Sequence, residues 1–410
     1  MIKLYGEPTY VMRNKVIRSG KEKVGTTPET ARKGTMTYKV LKAHCQTNDR
    51  ENLSIKFDSM GVYDNTYVGI LQTAIASGLK EFPMPCVFTN CHNCLNAVGG
   101  TINEDVHKYA LSACKKYGGI FVPPHEAVIH QYMREMIVSA GDMSIVSDSH
   151  TRYGSLGSLS IGEGGPELVK QLLGKTYDVT NPQKVVVWLE GAPRPGVGPQ
   201  DVALAIIGAV FKNGFVKNKV MEFMGPGVAG LSVEYRCGID VMTTETTCLS
   251  SIWTTDEKVR DYMAMHGRAG DYAELRLKGP ACYDGLIRVD LSKIVPMIAL
   301  PFHPSNVYPV AEVAKHGAEL LAEVEAEAQR QFGDAAKGLN MRAKVRDGGV
   351  WVDQGIIAGC AGGNFENIAL AAAILDGKST GNQAFNLAVY PASEPQGLAL
   401  VKNGATAKLM

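Results

Sequence analysis

MSIVSDSHTRYGSLGSLSIGEGG, residues 143–165, is the stretch on which the reading of this fold turns. MSIVSD at 143–148 is an apolar run that reads as a buried strand. It ends in a carboxylate, a hydroxyl and an imidazole (Asp148, Ser149, His150) and opens into a glycine-rich loop. Pro166, set just after glycines, starts a helix that runs through Leu173, as expected for proline in a first turn. A strand end opening onto a polar loop is where α/β proteins place binding groups. The glycines do not form a GxGxxG fingerprint in a βαβ setting, which argues against a dinucleotide site. The plain alternative is a turn capped by Asp148 and Ser149.

Outward from this stretch, β-rich apolar runs alternate with amphipathic helical ones, the signature of an α/β fold. Asp64 to Leu79 reads as a helix capped by Asp64, Met84 to Thr89 as a strand, Glu104 to Tyr117 as a helix, 118–122 as a strand and Val128 to Val138 as a helix. Asn181-Pro182 precedes the strong strand at 184–191, and PFHPSN interrupts the pattern near Pro301. These breaks divide the chain into units at 1–183, 184–302 and 303–410, the last opening on a long helix from Val310 to Ala336. The 410 residues suffice for two or three domains with dry cores.

With 42 basic and 41 acidic residues the net charge is +1, which leaves no electrostatic footprint for nucleic acid. The most basic stretch, Arg13 to Lys33, reads as a solvated surface. No apolar run reaches the ~18–20 residues of a membrane span, and the start lacks the pattern of a signal peptide. Nine scattered cysteines do not form a secreted disulfide framework, so a reducing cytoplasm is expected.

Four further sites carry chemistry-bearing residues. CVFTNCHNC at 86–94 brings Cys86, Cys91, His92 and Cys94 to a strand end, a spacing that suits zinc or a redox pair; buried packing cysteines are the alternative. His130 lies in an apolar helix, where a lone histidine is usually a core residue. Glu245, between threonines, is a cap or a desolvated acid or base. Cys360, in GCAGGNFEN at 359–367, stands near a helix start, where backbone N–H groups favour a thiolate.

Taken in order along the chain, these motifs resemble the aconitase family of [4Fe–4S] hydro-lyases from about Tyr63 onward. DSHTRYGSLGSLSIGEGG at 148–165 is similar to the family's DSHT-glycine block, VIHQ at 128–131 to its IIHQ and MGPGV at 224–228 to its HGPGV. YPVAEV at 308–313 is similar to its PxVAEV and GCAGGN at 359–364 to its cluster-ligand turn. The resemblance implies three-layer α/β/α units like the family's first three domains, the third incomplete, and reversible removal of water from a hydroxy-carboxylic acid. It assigns His92, His130, Asp148, Ser149, His150 and Glu245 to the catalytic set, and Cys360 to the first cluster ligand.

There are departures. Cys91 stands where the family has the aspartate that orients the catalytic histidine, Arg152 replaces a proline, Val68 a glutamine, and Ala361–Gly363 a polar run. The family's other two cluster cysteines, its substrate-clamping arginines, its serine base and its swivelling fourth domain are expected beyond Met410. The sequence reading is therefore an incomplete catalytic portion, inactive alone and without an intact [4Fe–4S] cluster, working with further domains or a second subunit on a small carboxylic acid. Its rivals are a non-catalytic binding or regulatory protein on the same fold, and a zinc protein using Cys86, Cys91 and Cys94.

Overall fold

The computed structural model describes residues 1–18, 24–92, 94, 102–381 and 385–410; residues 19–23 of the basic stretch lie outside them. The chain starts with β1 (Ile2–Tyr5). Five strands then build a first sheet: β2 (Ser59–Tyr63), β3 (Cys86–Thr89), β4 (Ile120–Val122), β5 (Met143–Val146) and β6 (Leu159–Gly162). They lie in the order β4-β3-β2-β5-β6 and every neighbouring pair is parallel. Parallel neighbours need crossovers, supplied here by α1 (Tyr67–Ala76), α2 (Ile102–Tyr117) and α3 (Ile129–Tyr132); α4 (Gly165–Leu172) follows the last strand. Both faces of the sheet are covered. Cys86 and Phe88 of β3 enter one core, while Val87 between them enters another, as the period of two in a strand requires.

The second sheet repeats the plan with β7 (Lys184–Glu190), β8 (Val220–Met224), β9 (Ser250–Trp253) and β10 (Gly285–Asp290), in the order β1-β10-β7-β8-β9. Residues 2–5, grouped by the sequence reading with the first unit, pair here antiparallel with β10. Val186 and Trp188 of β7 face the core shared with the first sheet, whereas Val185, Val187 and Leu189 face the second sheet's own core. That core includes α5 (Pro199–Val210), whose start is fixed by Pro199 in its first turn and by Asp201 closing back on the Gly198 N–H at 2.7 Å. Two more helices matter for the site: α6 (Val233–Val241), and α7 (Val310–Phe332) on the C-terminal side. There β11 (Gln354–Ile357) and β12 (Asn386–Val389) pair in parallel around α8 (Phe365–Leu375).

The segment 128–138 is not a uniform helix. After α3 it passes into a π-helical turn at Met133–Ile137, which buries Arg134 and Glu135. The strand read over 143–148 stops at Val146, and so Ser147 and Asp148 leave the ladder as the site begins. No described helix is long and apolar enough to cross a membrane.

Candidate active site

In the first sheet the chain moves from β2 to β3 on one side and returns to β5 on the other. The carboxyl ends of β2 and β5 therefore flank a topological switch point, the crevice where open α/β sheets bind ligands. Asp64 directly follows β2, His92 lies three residues past β3 and Asp148 two past β5. The strand order alone gathers two carboxylates and an imidazole at one place.

Asp148 is the hub. Its Oδ1 lies 3.0 Å from His130 Nε2, 2.7 Å from the His150 backbone N–H and 3.6 Å from His150 Nδ1. Its Oδ2 is 3.9 Å from His92 Nε2. Burial alone would raise the Asp148 pKa, but the hydrogen bonds from His130 and His150 outweigh it and hold the carboxyl far below its usual range. His130 is 2% exposed; burial pushes its pKa down despite Asp148, and its Nδ1 meets the Tyr153 hydroxyl at 3.0 Å. His150 goes the other way. Hydrogen bonds to Asp148 and then to Glu245, whose Oε1 is 3.2 Å from its Nε2, raise its pKa to about 9. His150 is thus an imidazolium at neutral pH, and it keeps the Glu245 pKa lowered.

Glu245 comes from the 3-10 turn Met242–Thr246 that follows α6, so the site spans both sheets. Thr244 Oγ1 in the same turn donates to the Ser149 carbonyl at 2.6 Å. The exposed Ser149 hydroxyl stands 3.4 Å from His150 Nδ1. The C-terminal region contributes Cys360, whose carbonyl accepts from Arg134 Nη1 at 3.5 Å and whose thiol feels both Arg134 and Asp148. Burial raises this thiol to about 11. The thiolate expected at a helix start is not favoured, because the helix at Gly359–Gly362 is one turn long and desolvation wins.

All seven residues expected from the sequence thus fall in one region, but three participants were not foreseen. Asp64, taken as a helix cap, supplies the carboxylate that Cys91 cannot. It accepts the His92 backbone N–H at 3.1 Å, lies 3.4 Å from His92 Nδ1, and raises the His92 pKa chiefly through its side-chain hydrogen bond to that ring. Its place at a strand end, like that of Asp148, was the available signal. His303 reaches to 3.8 Å from Glu245 and stacks on Phe211; in sequence it showed only as a histidine between prolines. Arg134, 1% exposed, makes its hydrogen bonds to the carbonyls of Cys360 and Arg152. It was hidden because a π turn breaks helical periodicity.

Cys86, Cys91 and Cys94 do not converge. Cys86 starts β3 in the first core beside Cys114, while Cys91 lies past the strand's far end, about 16 Å of extended chain away. A [4Fe–4S] cluster takes thiolate ligands. Among the described residues, the one group of three or more ligating side chains within 4.8 Å is Asp64, Cys91 and His92, which excludes Cys360. The described residues alone therefore do not fit a cluster.

Comparison with known proteins adds an independent line. A model of the aconitase family (aconitate hydratase) matches residues 38–410. A 3-isopropylmalate dehydratase large subunit from Archaeoglobus fulgidus is 31% identical over 288 residues, 70% of this chain and 60% of that protein. A mitochondrial aconitate hydratase from Gracilaria gracilis is 28% identical over 309 residues, 69% of this chain and 40% of its own. A second such hydratase, from Saccharomyces cerevisiae, is 28% identical over 279 residues, covering 64% and 36%. The chain thus spans between about a third and three fifths of these relatives' lengths.

Proposed function

The chain belongs to the aconitase family, and on that premise we propose that its Asp148-centred cluster serves the reversible removal of water from a hydroxy-carboxylic acid. The observation that carries the reading is one carboxylate shared by three imidazoles at a sheet switch point, one of them locked between two carboxylates. Dehydration requires a proton for the departing hydroxyl and a group to take the proton beside the carboxylate. His92 suits the first task. Its side chain is 41% exposed, its pKa is raised, and its Nε2 points toward Asp148 while Asp64 holds the other nitrogen. His150 holds a proton over the neutral range and offers its charge to a substrate anion. His130 stays neutral and fixes Asp148. Glu245 and the Ser149 hydroxyl stand beside His150 on either side of its ring.

Members of this family normally use a [4Fe–4S] cluster. Cys360 is the residue proposed to contribute to one, together with thiolates from further domains or a second subunit; relatives named as large subunits support the latter. The substrate class is a small hydroxy acid, in a cytoplasmic setting.

The test is a dehydratase assay on 2-hydroxy di- and tricarboxylic acids in cluster-reconstituted protein, with and without a candidate second subunit, following absorbance of the new C=C bond. Turnover that falls at least ~100-fold in His92→Asn supports the reading. Turnover unchanged in that variant overturns the role of His92. No turnover in any preparation overturns the enzymatic reading in favour of a binding protein.

A further inference from the structure

We propose that the cavity between α6, α8 and the helix Glu394–Lys402 binds a small primary alkylammonium ligand, at a site outside the Asp148 cluster and independent of the dehydratase reading. Its volume of about 650 Å³ lies in the range of sites that enclose small molecules. An apolar wall comes from Val233, Tyr262, Met265, Phe365, Pro395 and Ala399. Three carboxylates stand among them: Glu135 from the π turn, Glu234 from α6 and Glu366 from α8.

The hydrogen bonds that hold these carboxylates come from neutral donors. Glu234 Oε2 accepts the Glu366 N–H at 2.7 Å, and Glu366 Oε2 accepts from the Ser232 hydroxyl. Glu135 Oε1 accepts from Gln131 Nε2 at 2.7 Å and from Ser393 Oγ at 2.9 Å. Among the described residues the one ionic partner of the three is His266, 3.8 Å from Glu135 Oε1. Lys258 lines the cavity too, but its Nζ donates to the Leu231 carbonyl at 3.2 Å. The lining is net negative, with Glu135, Glu234, Asp261 and Glu366 against Lys258 and His266. Burial, and after it the charges of Glu366 and Glu135, push the Glu234 pKa up to about 7, the mark of a carboxylate without a cation.

A second observation selects the donor. Gln396 is 7% exposed and lines the same cavity. Its Nε2 donates to Glu234 Oε1 at 3.2 Å, and its Oε1 is buried with no hydrogen-bond partner. Turning the amide over would set that oxygen against the Glu234 carboxylate, so the orientation is fixed. A buried acceptor left unpaired is destabilising, and an N–H donor from a ligand removes that cost. A primary ammonium brings three N–H donors and one positive charge. A quaternary ammonium has no donor for Oε1. One metal ion does not suit either, since among the described residues no three ligating side chains of this cavity lie within 4.8 Å of one another. The alkyl body then rests on the apolar wall. Because the lining draws on the π turn, on α6 and on the C-terminal region that carries Cys360, the ligand ties that region to the rest of the molecule.

The full chain is titrated calorimetrically with n-butylammonium chloride at ionic strength matched by NaCl, and melted with and without it under circular dichroism. The wild type should bind one equivalent and melt at a higher midpoint with the amine. NaCl, MgCl₂ and the neutral n-butanol should produce neither effect. Glu234→Gln and Gln396→Leu should each weaken butylammonium binding at least ~10-fold, since each removes an acceptor of a charge-assisted hydrogen bond. Melting shows whether the variants are folded; if Gln396→Leu is not, the isosteric Glu234→Gln decides alone. A folded wild type that does not bind, an equal response to NaCl, MgCl₂ or n-butanol, or binding that survives in a folded Glu234→Gln or Gln396→Leu would overturn the site. His92→Asn should leave butylammonium binding unchanged, so failure of this site and failure of the dehydratase reading are separate results.

Discussion

At the inner end of the site His130 meets Asp148 Oδ1 at 3.0 Å from full burial, whereas at the outer end His150 reaches the same oxygen at 3.6 Å with Glu245 3.2 Å beyond it. The first imidazole is held neutral and the second is charged up to about pH 9. The shared carboxylate cannot account for this difference. Desolvation decides the inner histidine, and a second carboxylate with partial exposure decides the outer one. One anion thus holds a neutral, buried imidazole and a charged, partly exposed one a few ångströms apart, a separation of protonation states set by environment.

The largest break in this comparison is to remove what both ends share. Asp148→Asn should lower the His150 pKa from about 9 toward its usual 6.5 and cost about 2–3 kcal/mol of stability, since the buried His130 exchanges a charged acceptor for a neutral amide. NMR titration of the His150 ring and urea denaturation measure the two effects. A His150 pKa that stays near 9 would show that Glu245 alone sets it.

The two ends should also carry opposite pH slopes. His150 is raised in the folded state, so its contribution is complete below its usual 6.5 and is lost as pH rises through about 9. After discounting for its partial exposure this amounts to about 2 kcal/mol. His130 is lowered, so the unfolded chain takes up the extra proton and stability falls as pH drops below 6.5. Urea midpoints measured from pH 5 to 10 should therefore flatten on the alkaline side in Glu245→Gln and on the acid side in His130→Gln. The reverse assignment of slopes would refute the contrast.

Much of this was legible beforehand, for identifiable reasons. The parallel strands announce themselves because burial on both faces makes them continuous apolar runs, as VVVWL at 185–189 does, and their polar ends then mark the site. Asp148, His150 and Glu245 were visible as polar groups in apolar surroundings. Asp64 was not, because an aspartate ahead of a helix reads as a cap, and only the adjacency of β2 and β3 shows that it faces His92. The cysteines misled in the opposite direction. Spacing in sequence brought Cys86 near Cys91, while an extended strand carries them apart. The pairing of β1 with β10 spans most of the chain and leaves no local signal.

The smallest effect probes what holds the inner end in place. The Tyr153 hydroxyl, fully buried, lies 3.0 Å from His130 Nδ1 while Asp148 lies 3.0 Å from Nε2. Asp148 is ionised and can only accept, so His130 Nε2 carries the proton and Nδ1 accepts from the tyrosine. Tyr153→Phe leaves Nδ1 without its donor at little cost in volume, and should lower stability by about 1 kcal/mol. His130 would keep the same tautomer, since Asp148 fixes it, whereas in Asp148→Asn the tautomer is free to change. Ring ¹⁵N shifts of His130 distinguish these outcomes. A tautomer that switches in Tyr153→Phe would mean that the tyrosine, and not the carboxylate, sets the inner end.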